Sequence, residues 1–180
     1  MIRRPPQTPL VLRKVGRHDE GAFLRAFALT VTSDPRFAHY YDPGLSFEAY
    51  LRVLEDAEHG RHLPEGHVPS TLLFGFVESD IVGRLMLRHS LNEFLVRIGG
   101  HIGYVVVPEH RGRGYATEML RQGLDLARST ALARVLVTCD EDNGASRRVI
   151  EKCGGQYEDS YVGPEVAVAK RRYWIALSSA

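Results

Sequence analysis

Residues 105–116 read VVVPEHRGRGYA, an apolar run that stops at a proline and passes through a basic, glycine-rich loop into an amphipathic helix. The first N–H groups of a helix have no intrahelical partner and lie at the positive end of the helix dipole. Glycines let an anion approach the backbone closely, and Arg111 and Arg113 add positive charge. The segment therefore predicts a strand, a loop and a helix that together bind a di- or triphosphate-like group.

Two common phosphate-binding loops do not fit this segment. The Walker loop requires the pattern G-x-x-x-x-G-K-[ST], which does not occur in the chain. The Rossmann fingerprint requires G-x-G-x-x-G directly after a strand, whereas Thr117 stands at its last position and residues 108–111 separate the glycines from the apolar run. A nucleotide-binding protein is therefore the least favoured alternative.

The loop resembles the pyrophosphate loop of the GNAT N-acetyltransferase superfamily, whose pattern is [RQ]-x-x-G-x-[GA]. Arg111, Gly114 and Ala116 occupy its three defined positions. Residues 134–155 resemble the next motif of that family, with an apolar run, Asn143, a short helical pattern and two glycines. The resemblance extends over residues 10–177. Within the family, the chain is similar to a branch of predicted acetyltransferases, and this similarity does not imply a particular substrate.

The resemblance implies that acetyl-coenzyme A is the co-substrate. Its pyrophosphate would lie on the loop and the helix N-terminus, and its pantetheine arm would pair with strand backbone and with Asn143. The residues implied for this binding are Val105, Val106, Val107, Arg111, Gly112, Arg113, Gly114, Tyr115, Ala116, Thr117, Asn143 and Ser146. The reaction implied is direct transfer of the acetyl group, in a ternary complex, to a primary amine of a small molecule or an exposed protein amine.

The acid and the base are harder to assign, because two residues of the usual family pattern are missing. The strand before the loop contains no glutamate, so His101 is the predicted base. The family's tyrosine position, seven residues after the asparagine, holds Ile150. Tyr173 is the predicted acid, with Tyr157 and Tyr161 as alternatives, or the thiolate leaves to solvent. The same departures leave a non-catalytic acyl-coenzyme A binding module as an alternative function.

Several of these residues also have a purely structural interpretation. His101 could pack beside the two glycines before it and bond only to backbone, and Asn143 could serve only as a helix N-cap. Residues 140–142 form an acidic triplet that could attract a cationic amine or lie in a solvated turn. Cys139 ends an apolar run, which is more typical of a small buried side chain than of a thiol nucleophile.

Hydrophobic periodicity predicts strands and helices in the order β-α-α-β-β-β-α-β-α-β-β. The clearest helix covers residues 116–127, where apolar side chains recur at i, i+3, i+4, i+7, i+8 and i+11. Ser46 is typical of an N-cap for an earlier helix. Residues 91–98 fit either a short helix or an irregular crossing, and a final hairpin is predicted to turn through Gly163 and Pro164.

This order predicts an α/β (α+β) fold, with a mixed, mostly antiparallel sheet and helices on both faces, as in the GNAT fold. One domain is expected over residues 10–177, after a flexible N-terminal arm at residues 1–9.

Composition excludes several classes of protein. Among 180 residues, 23 basic side chains balance 22 acidic ones, which argues against a nucleic-acid binder. The two cysteines form no C-x-x-C pair and the histidines at 59, 62 and 67 fit no zinc signature, so no metal is expected. No apolar run approaches the about 20 residues that cross a bilayer, and no signal peptide is recognisable, so a cytoplasmic location is expected. A homodimer is compatible with the sequence.

Overall fold

The computed structural model describes residues 9–177, which form one seven-stranded sheet with helices on both faces. The strands are β1 (Val11–Arg13), β2 (Ser70–Val77), β3 (Asp80–Arg88), β4 (Ile102–Val106), β5 (Arg134–Asp140), β6 (Gln156–Tyr161) and β7 (Lys170–Ala176). The helices are α1 (Glu20–Thr30), α2 (Phe47–Glu58), α3 (Glu93–Arg97), α4 (Tyr115–Arg128) and α5 (Gly144–Lys152). Single turns of 3-10 helix lie at Arg17–Asp19 and Pro108–His110.

The strands lie in the order β1-β2-β3-β4-β5-β7-β6. Every neighbouring pair is antiparallel except β4 and β5, which are parallel. This architecture confirms the predicted fold class, a mixed and mostly antiparallel sheet with helices on both faces.

Each face of the sheet has its own hydrophobic core. Helices α1 and α2 cover one face through an aromatic cluster that includes Phe23, Tyr50 and Phe74. Helices α4 and α5 cover the other, where Met119 and Ile150 are fully buried. Each large side chain buried in this way contributes about 1.5–3 kcal/mol, so the two cores hold the sheet rigidly between the helix pairs.

The amphipathic helix predicted after the loop is confirmed as α4. Its buried residues are Met119, Leu120, Gly123, Leu124 and Ala127, which are the inward positions of the predicted stripe. The Ser46 cap is also confirmed, because its hydroxyl accepts from the N–H of Ala49 at the start of α2. The ambiguous residues 91–98 contain α3, a single short helix capped by the side chain of Asn92.

The predicted final hairpin is confirmed, but the connection through Gly163 and Pro164 is longer than predicted. Strands β6 and β7 pair up to Tyr161 and Lys170, so the eight residues 162–169 connect them. Pro164 has no N–H to donate to a ladder, and Val166 donates its N–H to the carbonyl of Gly163 instead. These residues form a local turn, and β7 begins only at Lys170.

The arm predicted at residues 1–9 lies, except for Pro9, outside the described residues. Between residues 9 and 177, no helix is both long and apolar enough to cross a membrane.

Candidate active site

Strands β4 and β5 meet at one end and then diverge. The N–H of His101 donates to the carbonyl of Leu136 at 2.7 Å, and the ladder holds one residue pair, Ile102 with Val137. Gly100 permits this contact, because it has φ of +61° and a Cβ there would lie 2.4 Å from the Leu136 oxygen. Beyond that pair the strands no longer match in register, which opens a gap between them.

Backbone groups of β4 face this gap at alternate residues. The N–H of Val107 donates to the carbonyl of Val82 on β3 at 3.0 Å. The carbonyl of His101 accepts from the backbone N–H of Arg88, which is also on β3. By alternation, residues 103 and 105 also pair with β3, whereas the N–H and C=O groups of Tyr104 and Val106 face the gap. The prediction that Val105 and Val107 present backbone to the gap is therefore wrong, and Tyr104 joins Val106 there.

The loop after β4 leads directly to the N-terminus of α4. The first intrahelical bond runs from the N–H of Glu118 to Gly114, so the N–H groups of Tyr115, Ala116 and Thr117 precede it. Gly112 and Gly114 have φ of +76° and +87°, and a Cβ added to either meets nothing within 4 Å. The loop thus presents open space and backbone donors together, which fits a pyrophosphate.

The two arginines of the loop are exposed, and Nε of Arg111 donates to the carbonyl of Val106 at 3.2 Å. This contact holds the guanidinium beside the last residue of β4. Arg111 can therefore add positive charge where the gap opens toward the N-terminus of α4, while the side chain of Arg113 lies in solvent.

The start of α5, which follows β5, also borders this gap. Asn143 caps this helix by accepting from the N–H of Ser146 at 2.9 Å through Oδ1. The hydroxyl of Ser146 lies 2.8 Å from that of Tyr104, and burial raises the pKa of this tyrosine. Asn143, Ser146 and Tyr104 all line one cavity. The predicted cap is confirmed, and its amide nitrogen still has donors to offer a ligand.

That cavity has a volume of about 500 Å³ and passes through the gap. From β4 and β5 it is lined by Gly103, Tyr104, Val105, Thr138 and Cys139. From the α1–α2 face of the sheet it is lined by Arg36, His39, Tyr40, His67, Arg84 and Arg88. A single cavity therefore joins the backbone of the gap to a cluster of cationic and aromatic side chains.

The cationic side of the cavity is the part that sequence reasoning missed. Arg84, Met86 and Arg88 are spaced two residues apart along β3, so their side chains lie on the same face of the sheet. Met86 packs in the core under α1 and α2, so this is the face that those helices cover. Burial lowers the pKa of both guanidinium groups, which stay charged near neutral pH. The available signal in the sequence was a pair of arginines, four residues apart, on the same face of a largely apolar strand. Tyr40 lines the same side of the cavity.

His101 lies outside the lining of this cavity, with 5 % of its surface exposed. Its Nδ1 accepts from the N–H of Leu136 at 2.9 Å, and its ring packs 6.2 Å from that of Trp174. Burial, with the charge of Arg88, lowers its pKa to about 4. This is the structural interpretation of His101, a neutral ring that bonds to backbone.

Tyr173 is fully buried on the α4–α5 face and also lies outside the cavity lining. Its hydroxyl accepts from Nε of Arg171 at 2.9 Å and donates to Glu151 at 3.4 Å. Tyr157 and Tyr161 instead bond to Ser160 and Glu165 on the outer hairpin. The structure therefore does not bring any of the three predicted tyrosines to the gap.

The acidic triplet at the end of β5 is mostly paired. Asp140 forms an ion pair with Lys170, and Glu141 pairs with Arg171 and accepts from Ser160 at 2.6 Å. Cys139 is buried beside them, and burial raises the pKa of its thiol to about 11. A thiol that keeps its proton is a poor nucleophile, so its position matches the structural interpretation.

Within residues 9–177, no cluster of three or more His, Cys, Asp or Glu side chains could hold a metal ion.

A family model described as "Acetyltransferase (GNAT) domain" matches residues 9–156. No curated protein sequence matches the chain. Among solved structures, yncA from Salmonella typhimurium, determined with its cofactor acetyl-CoA, is 14% identical over 95% of each chain, with a TM-score of 0.61. The spermidine N-acetyltransferase from Vibrio cholerae, in complex with CoA and spermine, is 18% identical over 93% of this chain and 95% of its own, with a TM-score of 0.60. RimL, an alpha-N-protein acetyltransferase of ribosomal L7/L12 in complex with coenzyme A, is 17% identical over 96% of each chain, with a TM-score of 0.64.

Proposed function

This chain belongs to the GNAT acetyltransferase family, and from that premise we propose that it transfers an acetyl group from acetyl-coenzyme A to a primary amine in a ternary complex. The observation that carries the proposal is the gap between β4 and β5, because residues of both strands line a cavity of about 500 Å³ there. The similar solved structures include acetyltransferases named for a small amine, spermidine, and for a ribosomal protein. An amine acceptor of either kind fits this fold.

Acetyl-coenzyme A would supply the activated thioester, and the chain would hold it at three places. Arg111, Arg113 and the N–H groups at residues 112–117 would bind the pyrophosphate, because they combine positive charge with unpaired donors. The amide nitrogen of Asn143 would donate to the pantetheine arm. The N–H of Val106 or Tyr104 would donate to the developing oxyanion, a contact worth about 3–4 kcal/mol in other acyl-transfer sites.

For the base, we propose His39 in place of His101. The Nδ1 of His101 is occupied by the N–H of Leu136, so its other ring nitrogen carries the proton and offers no lone pair. His39 lines the cavity, and burial, with the charge of Arg84, lowers its pKa to about 4. It is therefore neutral at pH 7 and has a lone pair for the ammonium proton as the amine attacks the thioester carbon.

For the leaving thiolate, we propose Tyr104 in place of Tyr173. Tyr104 lies on the gap, and burial raises its pKa, so it keeps its proton and donates a hydrogen bond. The carbon–sulfur bond breaks as the new amide forms, and the thiolate takes up a proton from this hydroxyl or from solvent. A thiolate of pKa about 8.5 is already a tolerable leaving group, so Tyr104 would assist and not control the step.

Two alternatives remain distinguishable by experiment. A non-catalytic module would bind acetyl-coenzyme A stoichiometrically and release no thiol with any amine. A nucleotide-binding protein would bind ATP through its phosphates and ignore the pantetheine arm.

The experiment is calorimetric titration with acetyl-coenzyme A, 3′,5′-ADP and ATP. The wild type is compared with the double variant Arg111→Ala/Arg113→Ala and with a matched control, Arg25→Ala/Arg52→Ala, which removes two exposed arginines from α1 and α2. We expect micromolar affinity for acetyl-coenzyme A, a loss of about 100-fold in the loop variant and no change in the control. Equal affinity for ATP, or no binding at all, would overturn the proposal, and an amine screen by thiol release then separates enzyme from binding module.

A further inference from the structure

Arg84 is a charged side chain in the middle of the sheet. It lies opposite Val105 in the β3–β4 ladder, and 8 % of its surface is exposed. Its Nη2 donates to the carbonyl of Arg36 at 3.2 Å and lies 4.0 Å from a carboxylate oxygen of Asp34. Its Nη1 is 3.4 Å from the carbonyl of Gly103, at the long limit of a hydrogen bond.

The Nε of Arg84 is buried without a hydrogen-bond partner in the described part of the chain. Leaving one donor of a buried charged group unpaired costs about 1–3 kcal/mol or more, because the group loses water and gains nothing in exchange. Other atoms of Arg84 line the cavity, so an acceptor atom of a ligand would remove this cost once the side chain turns to bring Nε into the cavity. A buried, incompletely bonded guanidinium facing a cavity has the chemistry of an anion site that lacks its anion.

Other groups around Arg84 add to its charge more than they offset it. Arg88 lines the same cavity, and its Nη1 donates to the carbonyls of Gly99 and Gly100 at 3.2 and 3.0 Å. Arg36 stands at its exposed rim. Lys170 and Asp140, which also line the cavity, pair with each other, so three arginines remain against the one carboxylate of Asp34.

This cluster is separate from the loop that would hold the pyrophosphate. Arg84 and Arg88 project onto the sheet face covered by α1 and α2, whereas the loop leads into α4 on the other face. Arg88 also contacts Gly99 and Gly100, which precede β4, whereas the loop follows it. Arg88 therefore lies at the far end of β4 from the loop, whereas Arg84, opposite Val105, is separated from the loop by the sheet itself.

We propose that the acceptor amine also carries an oxyanion, a carboxylate or a phosphate, and that Arg84 and Arg88 bind this group. The inference rests on the proposed acetyl transfer and adds the substrate class to it. Arginine forks suit the planar pair of oxygens on such groups, and Arg84 lies opposite Val105, beside the gap where the acetyl group would be presented. A polyamine would meet like charge here, so the acceptor differs in class from spermidine.

The first test follows the Nε–H of Arg84 by ¹⁵N–¹H NMR, with the signal assigned by its loss in Arg84→Lys. The full chain is titrated with inorganic phosphate, with acetate and with chloride at matched ionic strength. We expect a saturable shift with phosphate or acetate that persists in Arg111→Ala/Arg113→Ala, because the loop is a different site. A shift no larger than that with chloride would overturn the proposal. This measurement needs no acetyl-coenzyme A, so its failure is distinguishable from failure of the proposed function.

The second test measures thiol release with pairs of amines that differ only in the anionic group, namely amino acids against their decarboxylated amines and phosphoethanolamine against ethanolamine. We expect the anionic member of a pair to have the higher kcat/KM, by about 100-fold or more, since the site would otherwise leave its arginines unpaired. Which pair shows the preference distinguishes carboxylate from phosphate.

Variants connect that preference to the two arginines. Arg84→Met, which keeps the side-chain volume, and Arg88→Gln should each abolish most of the preference while leaving acetyl-coenzyme A affinity unchanged. The matched control Arg52→Gln removes an exposed arginine from α2 and should keep the preference. A preference for spermidine over every anionic amine, or a preference that survives both variants, would overturn the proposal.

Discussion

The hydroxyl of Tyr104 on β4 lies 2.8 Å from the hydroxyl of Ser146 on α5. This hydrogen bond links β4, on one side of the gap, to the start of α5, the helix that follows β5 on the other side. The same phenol is the titratable side chain of β4, and burial raises its pKa. One contact therefore holds the width of the gap and fixes a proton donor within it.

Replacing Tyr104 by phenylalanine should affect both stability and turnover. Loss of the hydrogen bond to Ser146 should lower the free energy of unfolding by about 1 kcal/mol, measured by urea denaturation. Loss of the donor beside the thiolate should lower kcat by about tenfold or more, with KM for acetyl-coenzyme A changed little. Tyr173→Phe is the matched control, since it also removes a buried, hydrogen-bonded phenol. A larger fall in kcat for Tyr173→Phe would restore Tyr173 as the acid.

Gly114→Ala tests whether the open space above the loop is where phosphate binds. The left-handed φ of +87° should cost about 1 kcal/mol of stability in the alanine variant. Gly154→Ala is a close control, because Gly154 has φ of +90° and also has nothing near its missing Cβ. Both variants should lose similar stability in thermal unfolding, but calorimetry should show weaker acetyl-coenzyme A binding for Gly114→Ala alone. Equal affinity in the two variants would place the pyrophosphate elsewhere.

Asn143 combines a helix cap with a proposed ligand contact, and two substitutions separate them. Asn143→Asp keeps an oxygen to accept from Ser146 but loses the amide donor, so stability should persist while affinity for acetyl-coenzyme A falls. Asn143→Ala should lose both, at about 1 kcal/mol for the cap. Ser46→Ala removes the cap of α2 and should change stability alone. Full affinity in Asn143→Asp would leave Asn143 with a structural role only.

The cofactor side of the site could be predicted from sequence because its parts are local. Proline, glycines and arginines within residues 105–116 specify the loop, and the apolar stripe that follows specifies α4. The acceptor side could not be predicted in the same way, since Arg84 and His39 come from distant segments that only the folded sheet brings together. Its one local sign was Arg84 and Arg88 in phase on an apolar strand, because a charged residue at an inward position needs a partner.

The surroundings of His101 could not be predicted for a related reason. A sequence shows a titratable residue on the central strand but not which backbone group its ring meets, and here that group is the N–H of Leu136. Gly100 was the available sign, because it lets the chain entering β4 approach Leu136 of β5 closely.

The depressed pKa of His101 should make stability depend on pH. The pKa is about 4 in the folded protein and near 6.5 when unfolded, so between these values the unfolded chain binds more protons. The contribution of His101 to the free energy of unfolding should therefore be complete above pH 6.5 and decrease as the pH falls toward 4. At pH 5 the loss from this residue should be about 2 kcal/mol.

His101→Gln should weaken that dependence in urea denaturation at a series of pH values, and the part that remains includes the contribution of His39, whose pKa burial also lowers to about 4. The ring itself should show no NMR titration above pH 5, with its proton on Nε2 because Nδ1 accepts from Leu136. Turnover of the folded fraction at pH 8 should survive His101→Gln and fall in His39→Gln. The reverse pattern of turnover, together with a titration of His101 near pH 6.5, would return the role of base to His101.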